Sequence, residues 1–348
     1  MCNRLILAPC LLLCLSTANA KGDSAVPDPL FASNEPLDVR IVAPFDSIAL
    51  DRPTQEYVSG QLQYRTTDGK LVDLDVGIRA RGRYRRRPDV CAFPPLRLNF
   101  KKSQVKKTLF AGQDKLKLVT HCTTGSYIHE QSILAEFLAY RFFNLLTDAS
   151  YRVRLLRIKY ANPNEEIGID GYGIFIEHKD SLAKRIGLPP LSVEKIPVSS
   201  LDPEYLNLTS VFHYLIGNTD FSPIAGAPGG ECCHNHTLFG GDGTPYISVP
   251  YDFDMSGFVS APYAAPNPKL RLDSVQDRLY RGRCVNNERL PTTFEKIVAR
   301  RDDFEALIRD QAGLSRKMRS GMLRYVDEFY RTISRPKSVE RHFIKKCK

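Results

Sequence analysis

Residues Leu215–Phe258 read LIGNTDFSPIAGAPGGECCHNHTLFGGDGTPYISVPYDFDMSGF, and the reading of this stretch decides how the rest is understood. A helix is expected to stop at Gly217, which leaves Asn218 and Asp220 in the loop beyond it. A Gly- and Pro-containing loop then ends in His234-Asn235-His236. Two short apolar runs flank Gly240-Gly241-Asp242-Gly243, which predicts an antiparallel hairpin, and the second run delivers Tyr251-Asp252-Phe253-Asp254. Antiparallel pairing returns the chain, so Asn235 and Asp252 are expected at the same end of that hairpin. Carboxylates and an amide at the ends of adjacent elements suit a hard divalent cation, Mg²⁺ or Mn²⁺, which prefers oxygen ligands and often shares them with substrate phosphates. The competing explanation is turn chemistry, because Asp is favoured at turns and helix ends for local hydrogen bonding alone.

The order of these parts resembles that of the CotH-type atypical protein kinases and, more distantly, of the HipA-type kinases, whose loop also reads like Gly-Asn-x-Asp. Tyr251-Asp-Phe-Asp followed by Ser-Gly-Phe is similar to the family's Trp-Asp-x-Asp with a trailing Phe-Gly. The resemblance implies an α+β, protein-kinase-like two-lobed fold, with a β-rich N-terminal lobe and a helical C-terminal lobe. It implies transfer of the ATP γ-phosphate to a hydroxyl of a protein substrate of unknown identity. Asp220 then matches the catalytic Asp, Asn235 and Asp252 the metal-binding pair, and Asp254 a second nearby carboxylate. One spacing departs from the pattern. Asp220 and Asn235 lie 15 positions apart, where kinases of the usual type have five, so Ser222 to His234 must loop out. A catalytically inactive pseudokinase, or an extracytoplasmic binding protein of the same fold, is the alternative. A metal-dependent phosphoesterase would need more ligands than this cluster supplies.

Upstream, Arg79 to Lys107 holds 11 Lys or Arg and one acid, Asp89, a local excess equal to the net +10 of the whole chain. Such a run binds phosphate or is simply a solvated face. Few base-stacking aromatics interleave it, which speaks against nucleic acid as the partner. Arg81-Gly82 is similar to the start of the family's Arg-Gly-Asn-Ser-Ser, although Asn-Ser-Ser is missing here. Arg81, Arg97, Lys115 and Lys117 are therefore the candidates for the nucleotide phosphates, with Lys117, in Lys-Leu-Lys-Leu-Val, placed first. The spacing of Ile133, Leu134, Phe137, Leu138, Phe142, Leu145 and Leu146 predicts a helix over Ile128 to Leu146 with one wide apolar stripe. Glu130 is the candidate partner of the phosphate-binding cation by analogy with kinases, and Glu136 is the fallback. A first-turn carboxylate favoured by the helix dipole explains Glu130 equally well. Gly171-Tyr-Gly-Ile-Phe-Ile-Glu177 resembles the family's strand beside the nucleotide, where Glu177 meets adenine or a salt bridge.

Met1 to Ala20 has Arg4, an apolar core and an Ala-x-Ala end, the pattern of a secretory signal peptide, and implies a secreted or periplasmic protein. A leader follows to residue 36, then a β-rich lobe over 37–180 containing the long helix, and a mostly helical lobe over 181–348 carrying the hairpin. No later run is apolar enough to span a bilayer as a transmembrane helix. Six Cys remain beyond the signal: Cys91, Cys122, Cys232, Cys233, Cys284 and Cys347. An even count in an exported chain favours disulfides. Adjacent Cys232 and Cys233 are expected to pair with other cysteines rather than with each other. Asn207-Leu-Thr and Asn235-His-Thr match the glycan sequon.

Overall fold

The computed structural model describes residues 28–227 and 229–348, so the expected signal peptide lies outside the described residues. Alternating apolar residues make the first strands as the sequence predicts. These are β1 (Leu37–Val42), then, after α1 (Phe45–Asp51), β2 (Val58–Arg65), β3 (Leu71–Ala80) and β4 (Leu96–Phe100). A short α2 (Lys102–Val105) leads to β5 (Lys115–Val119), the long α3 (Tyr127–Leu146), β6 (Val153–Ala161) and β7 (Ile169–Ile176).

The pairing of these strands overturns the expected two-lobed kinase fold. They close into a seven-stranded barrel in the order β1-β2-β3-β4-β5-β7-β6. Closure comes from β1, which pairs in parallel with β6, Leu37 opposite Leu156 through Val42 opposite Ala161, while the other pairs are antiparallel. Period-two patterning tells which residues point inward but not which strand lies beside which, so closure was not legible. Leu62, Leu74, Ile78, Leu98, Leu116 and Phe175 fill the interior.

A second core covers the outer face of the barrel. Val119, Val153, Leu155, Ile174 and Ile176 turn outward and pack on α3. The same core continues into α4 (Lys179–Ile186), α5 (Pro203–Ile216), the hairpin β8 (His236–Phe239) and β9 (Ile247–Pro250), and the terminal helices α6 (Leu290–Val298), α7 (Arg301–Asp310), α8 (Arg316–Ile333) and α9 (Pro336–His342). Mixed α/β layers around one shared core replace the β-rich and helical lobes. α6 and α7 are separated at Ala299 and Arg300, with Ala299 capping α6 and Arg300 preceding α7.

Two features fix the start of the loop after α5. Asp202 caps the helix by accepting from Tyr205 N–H at 2.7 Å, with Pro203 at the first helical position. Gly217 ends it in the left-handed region (φ 62°), where an added Cβ would overlap the Tyr325 hydroxyl, so only glycine fits. No helix among the described residues is long and apolar enough to cross a membrane. Three disulfides are present: Cys91–Cys122, Cys284–Cys347 and, against expectation, Cys232–Cys233. The peptide between the last two is cis, which brings their Cα atoms to 2.9 Å and allows neighbouring sulfurs to meet.

Candidate functional site

The long insertion after Asp220 returns to its starting point. Ser222 and His234 form an antiparallel bridge, with Ser222 N–H donating to His234 O at 3.0 Å, and His234 N–H donates to Ala225 O at 3.1 Å. The return sets His234 and Asn235 beside Asp220. His234 Nε2 lies 2.8 Å from Asp220 Oδ1, and Asn235 Nδ2 donates to Asp220 Oδ2 at 3.0 Å and to its backbone oxygen at 2.7 Å. The amide of Asn235 is thereby oriented, with its oxygen on the far side from Asp220. The hydrogen bond to Asp220 raises the His234 imidazole above its ordinary range. Arg281 pins the same loop, its Nη1 donating to Thr219 O at 2.6 Å and Phe221 O at 2.7 Å, one residue to either side of Asp220.

The hairpin supplies the second half. His236 pairs with Pro250, so Asn235 and Asp252 flank the same end of the β8–β9 pair, and Tyr251 N–H donates to Asn235 O at 2.9 Å. Asn235 (φ 53°) and Asp252 (φ 64°) both adopt the left-handed conformation that L-residues avoid, a cost of about 1–3 kcal/mol each that tends to collect at functional positions. Asp252 N–H donates to the Tyr140 hydroxyl at 2.8 Å, which fastens the hairpin end to the middle of α3.

One turn before Tyr140 on that helix stands Glu136, fully buried, with Oε1 lacking any hydrogen-bond partner among the described residues. Burial, and then the charges of Asp254 and Asp252, push its carboxyl well above the usual range. Asp254, buried and accepting from the Tyr263 hydroxyl at 3.1 Å, is pushed up to about 7 by burial and by Asp252. Glu136 and Asp254 are thus buried within reach of each other's charge and of that of half-buried Asp252. Such an arrangement is costly unless a cation balances it.

Cations stand opposite, on the outer face of the barrel. Arg79, Arg97 and Lys117 are directly paired across β3, β4 and β5, a row of like charges that destabilises a sheet unless something neutralises it. The Lys117 side chain is half-buried, but its ammonium turns inward to 4.0 Å from the centre of the Tyr251 ring. Burial, then the charge of Arg81, lowers it to about 7, and Asp252 opposes that shift. Arg81, just past β3, is near enough for its charge to act on Lys117, Glu136 and Tyr140 alike.

Of the residues singled out by sequence, then, Asp220 and Asn235 touch, Asp252 and Asp254 share a cluster, and Lys117, Arg97 and Arg81 form the facing wall. Lys115 occupies the exposed end of the same strand face, opposite Asn99. Glu130 is not brought to the cluster. It lines a separate cleft of about 930 Å³ with Asp38, Arg40, Arg65, Arg157 and Asp170. Two pairs of opposite charge in that cleft already meet, Arg157 with Asp38 at 2.6 Å and Lys159 with Asp170 at 3.7 Å. Glu130 sits in the first turn of α3, while Glu136, lying beside the apolar stripe, is the glutamate that faces Asp252 and Asp254. Glu177 meets a salt bridge, with Arg185 at 2.7 Å.

Sequence reasoning missed Arg85 and His234. Arg85 is buried, stacks over Tyr263 at 5.1 Å and faces Asp254 and Glu136, yet nothing separated it from the other arginines of its run. His234 was legible only as part of His-Asn-His. Both sequons have other roles: Asn207 is buried and bonded to Thr293 and Asn286, and Asn235 to Asp220. Among the described residues no three His, Cys, Asp or Glu side chains converge tightly enough to hold a metal ion as they stand. No family model matches the chain, and no curated protein is significantly similar to it.

Proposed function

We propose that the protein is a Mg²⁺-dependent phosphotransferase that moves the γ-phosphate of ATP to a protein hydroxyl, on a barrel-and-helix scaffold rather than a two-lobed one. The observation that carries this reading is the facing of two incomplete charge walls: Glu136, Asp252 and Asp254 on one side, and Arg81, Arg97 and Lys117 on the other. A divalent cation with a polyphosphate fits between them because each wall lacks what that pair supplies. Asp252 and Asp254, with the oxygen of Asn235, would hold the cation, which when bound neutralises charge on the phosphates. Lys117, Arg97 and Arg81 would bind the phosphate oxygens and hold them in place.

The remaining work belongs to the loop after α5. Asp220 accepts the hydrogen bond of the acceptor hydroxyl and aligns its oxygen, a positioning effect that removes much of the entropy of bringing two reactants together. His234, bonded to Asp220 Oδ1, fixes the carboxylate's rotation and shares the proton released. Arg281 and the Ser222–His234 bridge keep the loop rigid. The three disulfides agree with an oxidising, extracytoplasmic compartment.

The test is a melting measurement with and without Mg²⁺ and ATP, combined with transfer of labelled γ-phosphate to the protein itself or to added protein. Wild type should gain stability from Mg²⁺-ATP, because a ligand that binds only the folded state stabilises it. Asp252→Ala should abolish that gain, and Asp220→Ala should retain it while losing transfer. Absence of a gain in wild type at any pH would refute the reading. The loose convergence of the acids favours a second reading, a nucleotide-binding protein without transfer. Binding lost in Asp252→Ala, with no transfer by wild type, would select it.

A further inference from the structure

A group of positive charges lies beside Asp220, and of these only Arg281, which holds the loop, has a part in the chemistry above. Arg281 holds the peptide groups on either side of Asp220, with its guanidinium 4.7 Å from the centre of the Phe221 ring. Two residues on, Arg283 is flanked by the end of the chain. Lys348 N–H donates to Gly282 O at 2.9 Å, and Cys284 N–H donates to Lys348 O at 3.1 Å, so the backbone of Lys348 bridges both neighbours of Arg283. The Cys284–Cys347 disulfide locks this bridge covalently. Arg281 is thus held by its guanidinium, while Arg283 and Lys348 are brought beside it by contacts that use only backbone and sulfur.

Among the described residues, no side-chain hydrogen bond or ion pair requires Arg283 or Lys348 to be basic. Among the described residues, neither Arg283 nor Lys348 forms an ion pair with a carboxylate, whereas the nearby Arg278 and Arg289 do, with Glu328 and Glu288. The carboxylate that acts on Arg281 is Asp220, and Arg283 acts against it. Arg281 and Arg283 likewise oppose the charge of Lys348. Like charges held together and unneutralised attract a mobile anion, and their place next to Asp220 determines which kind is useful.

We infer that Arg281, Arg283 and Lys348 form the docking surface for an acidic stretch of the acceptor protein, so that the hydroxyl presented to Asp220 is flanked by Asp or Glu. The inference rests on the reading of Asp220 as the acceptor-facing residue. Its direction follows from charge: a basic acceptor would meet repulsion at the approach to the loop, and an acidic one is drawn in and held in register. Such contacts set specificity and association rate more than total affinity.

The test uses the full chain without metal or nucleotide and reads fluorescence anisotropy with labelled peptides that carry one Ser flanked by four Glu, four Gln or four Lys. The Glu peptide is expected to bind at least about tenfold tighter than the Gln peptide and to weaken as salt rises, as exposed charge pairing does. The double variant Arg283→Glu/Lys348→Glu, which leaves Arg281 and its loop contacts in place, is expected to lose that preference with an unchanged melting temperature. Equal binding of the Glu and Gln peptides, or an unaltered preference in the double variant, would overturn the inference. So would a duplex oligonucleotide bound as tightly as the Glu peptide and lost in the same variant, since the surface would then select polyanions in general. Because Mg²⁺-ATP plays no part here, a failed melting shift with intact peptide preference would sink the phosphotransferase reading alone, and the reverse result would sink the docking surface alone.

Discussion

Replacing Asp254 by Asn tests directly whether the acidic cluster is an unbalanced site awaiting a cation. The substitution keeps the shape and an oxygen that can accept from the Tyr263 hydroxyl, now at 3.1 Å, but removes one charge. Burial and the charge of Asp252 move the carboxyl from 3.8 to about 7, and each unit of such a shift is worth about 1.4 kcal/mol between protonation states. The folded state binds the proton more tightly than the unfolded one, so the group does not penalise the fold below about pH 3.8. As pH rises the penalty grows, and it levels off above about pH 7 at roughly 4 kcal/mol. Neighbouring acids relax when one charge is removed, and a buried amide has its own cost of about 1 kcal/mol. A net gain of about 2–3 kcal/mol is therefore expected for Asp254→Asn at pH 8, falling below about 1 kcal/mol at pH 5. Urea denaturation in the presence of EDTA at the two pH values measures it. Mg²⁺ and ATP at about 1,000 times the dissociation constant should reverse the order, because wild type alone then gains about 4.1 kcal/mol of binding free energy. A variant less stable than wild type at both pH values without metal would refute the reasoning, for Asp254 would then be a satisfied structural acceptor.

Other consequences follow from the same geometry. Lys117→Met removes the cation at the β5 end of the Arg79–Arg97–Lys117 row and should weaken Mg²⁺-ATP binding about tenfold or more, read as a smaller melting shift, without loss of the fold in the absence of ligand. Gly217→Ala should destabilise by about 2 kcal/mol or more in chemical denaturation, since the position is left-handed and a Cβ there meets the Tyr325 hydroxyl. Opening the Cys91–Cys122 link, 31 positions apart, by replacing both with Ser should cost about 3–4 kcal/mol from the entropy of the unfolded loop, and should loosen the Arg81–Arg87 segment as seen by proteolysis. His236, which shares a 2.9 Å contact with His213, is lowered from 6.5 to about 3 by burial. The unfolded state therefore binds its proton first, and stability should fall by about 1.4 kcal/mol per pH unit as pH drops below about 6.5. A matched acid titration of His236→Gln should lack that slope.

What could be read from the chain beforehand was the local geometry. The end of α5 at Gly217, the strands β2 to β4, the hairpin at Gly240–Gly243 and its return of Asp252 toward Asn235 are all carried by residues close in sequence, where turn chemistry and periodicity apply. The assembly of these pieces was not legible. The parallel pairing of β1 with β6 joins Leu37 to Leu156 across more than a hundred residues, and no local pattern records it. For the same reason the barrel replaced the expected lobes. Glu136 shows the limit most clearly. The apolar positions Ile133, Phe137, Leu138 and Phe142 mark the stripe of α3 correctly, and a carboxylate beside that stripe is ordinarily exposed. Here the helix is buried on nearly every side, because the hairpin end packs on the face opposite the barrel through Tyr140 and Phe253.

That second burial connects stability to function. A helix covered by the barrel alone would leave Glu136 in water, and it would contribute nothing unusual. Once the hairpin covers it, the side chain is desolvated in the company of Asp252 and Asp254, which favours its protonated form, and a cation bound there would draw the cluster back to its charged form. Arg85 supplies one from within the fold, held over Tyr263. Burial and mutual repulsion still bias Glu136 and Asp254 toward their protonated forms, while Arg79, Arg97 and Lys117 gather positive charge across three neighbouring strands. A fold selected only for stability would join the two groups as ion pairs, yet among the described residues Lys117 turns to an aromatic ring and Glu136 keeps an unsatisfied oxygen. The separation is maintained at a cost, and a bound divalent cation with its polyphosphate is the chemistry that would recover it.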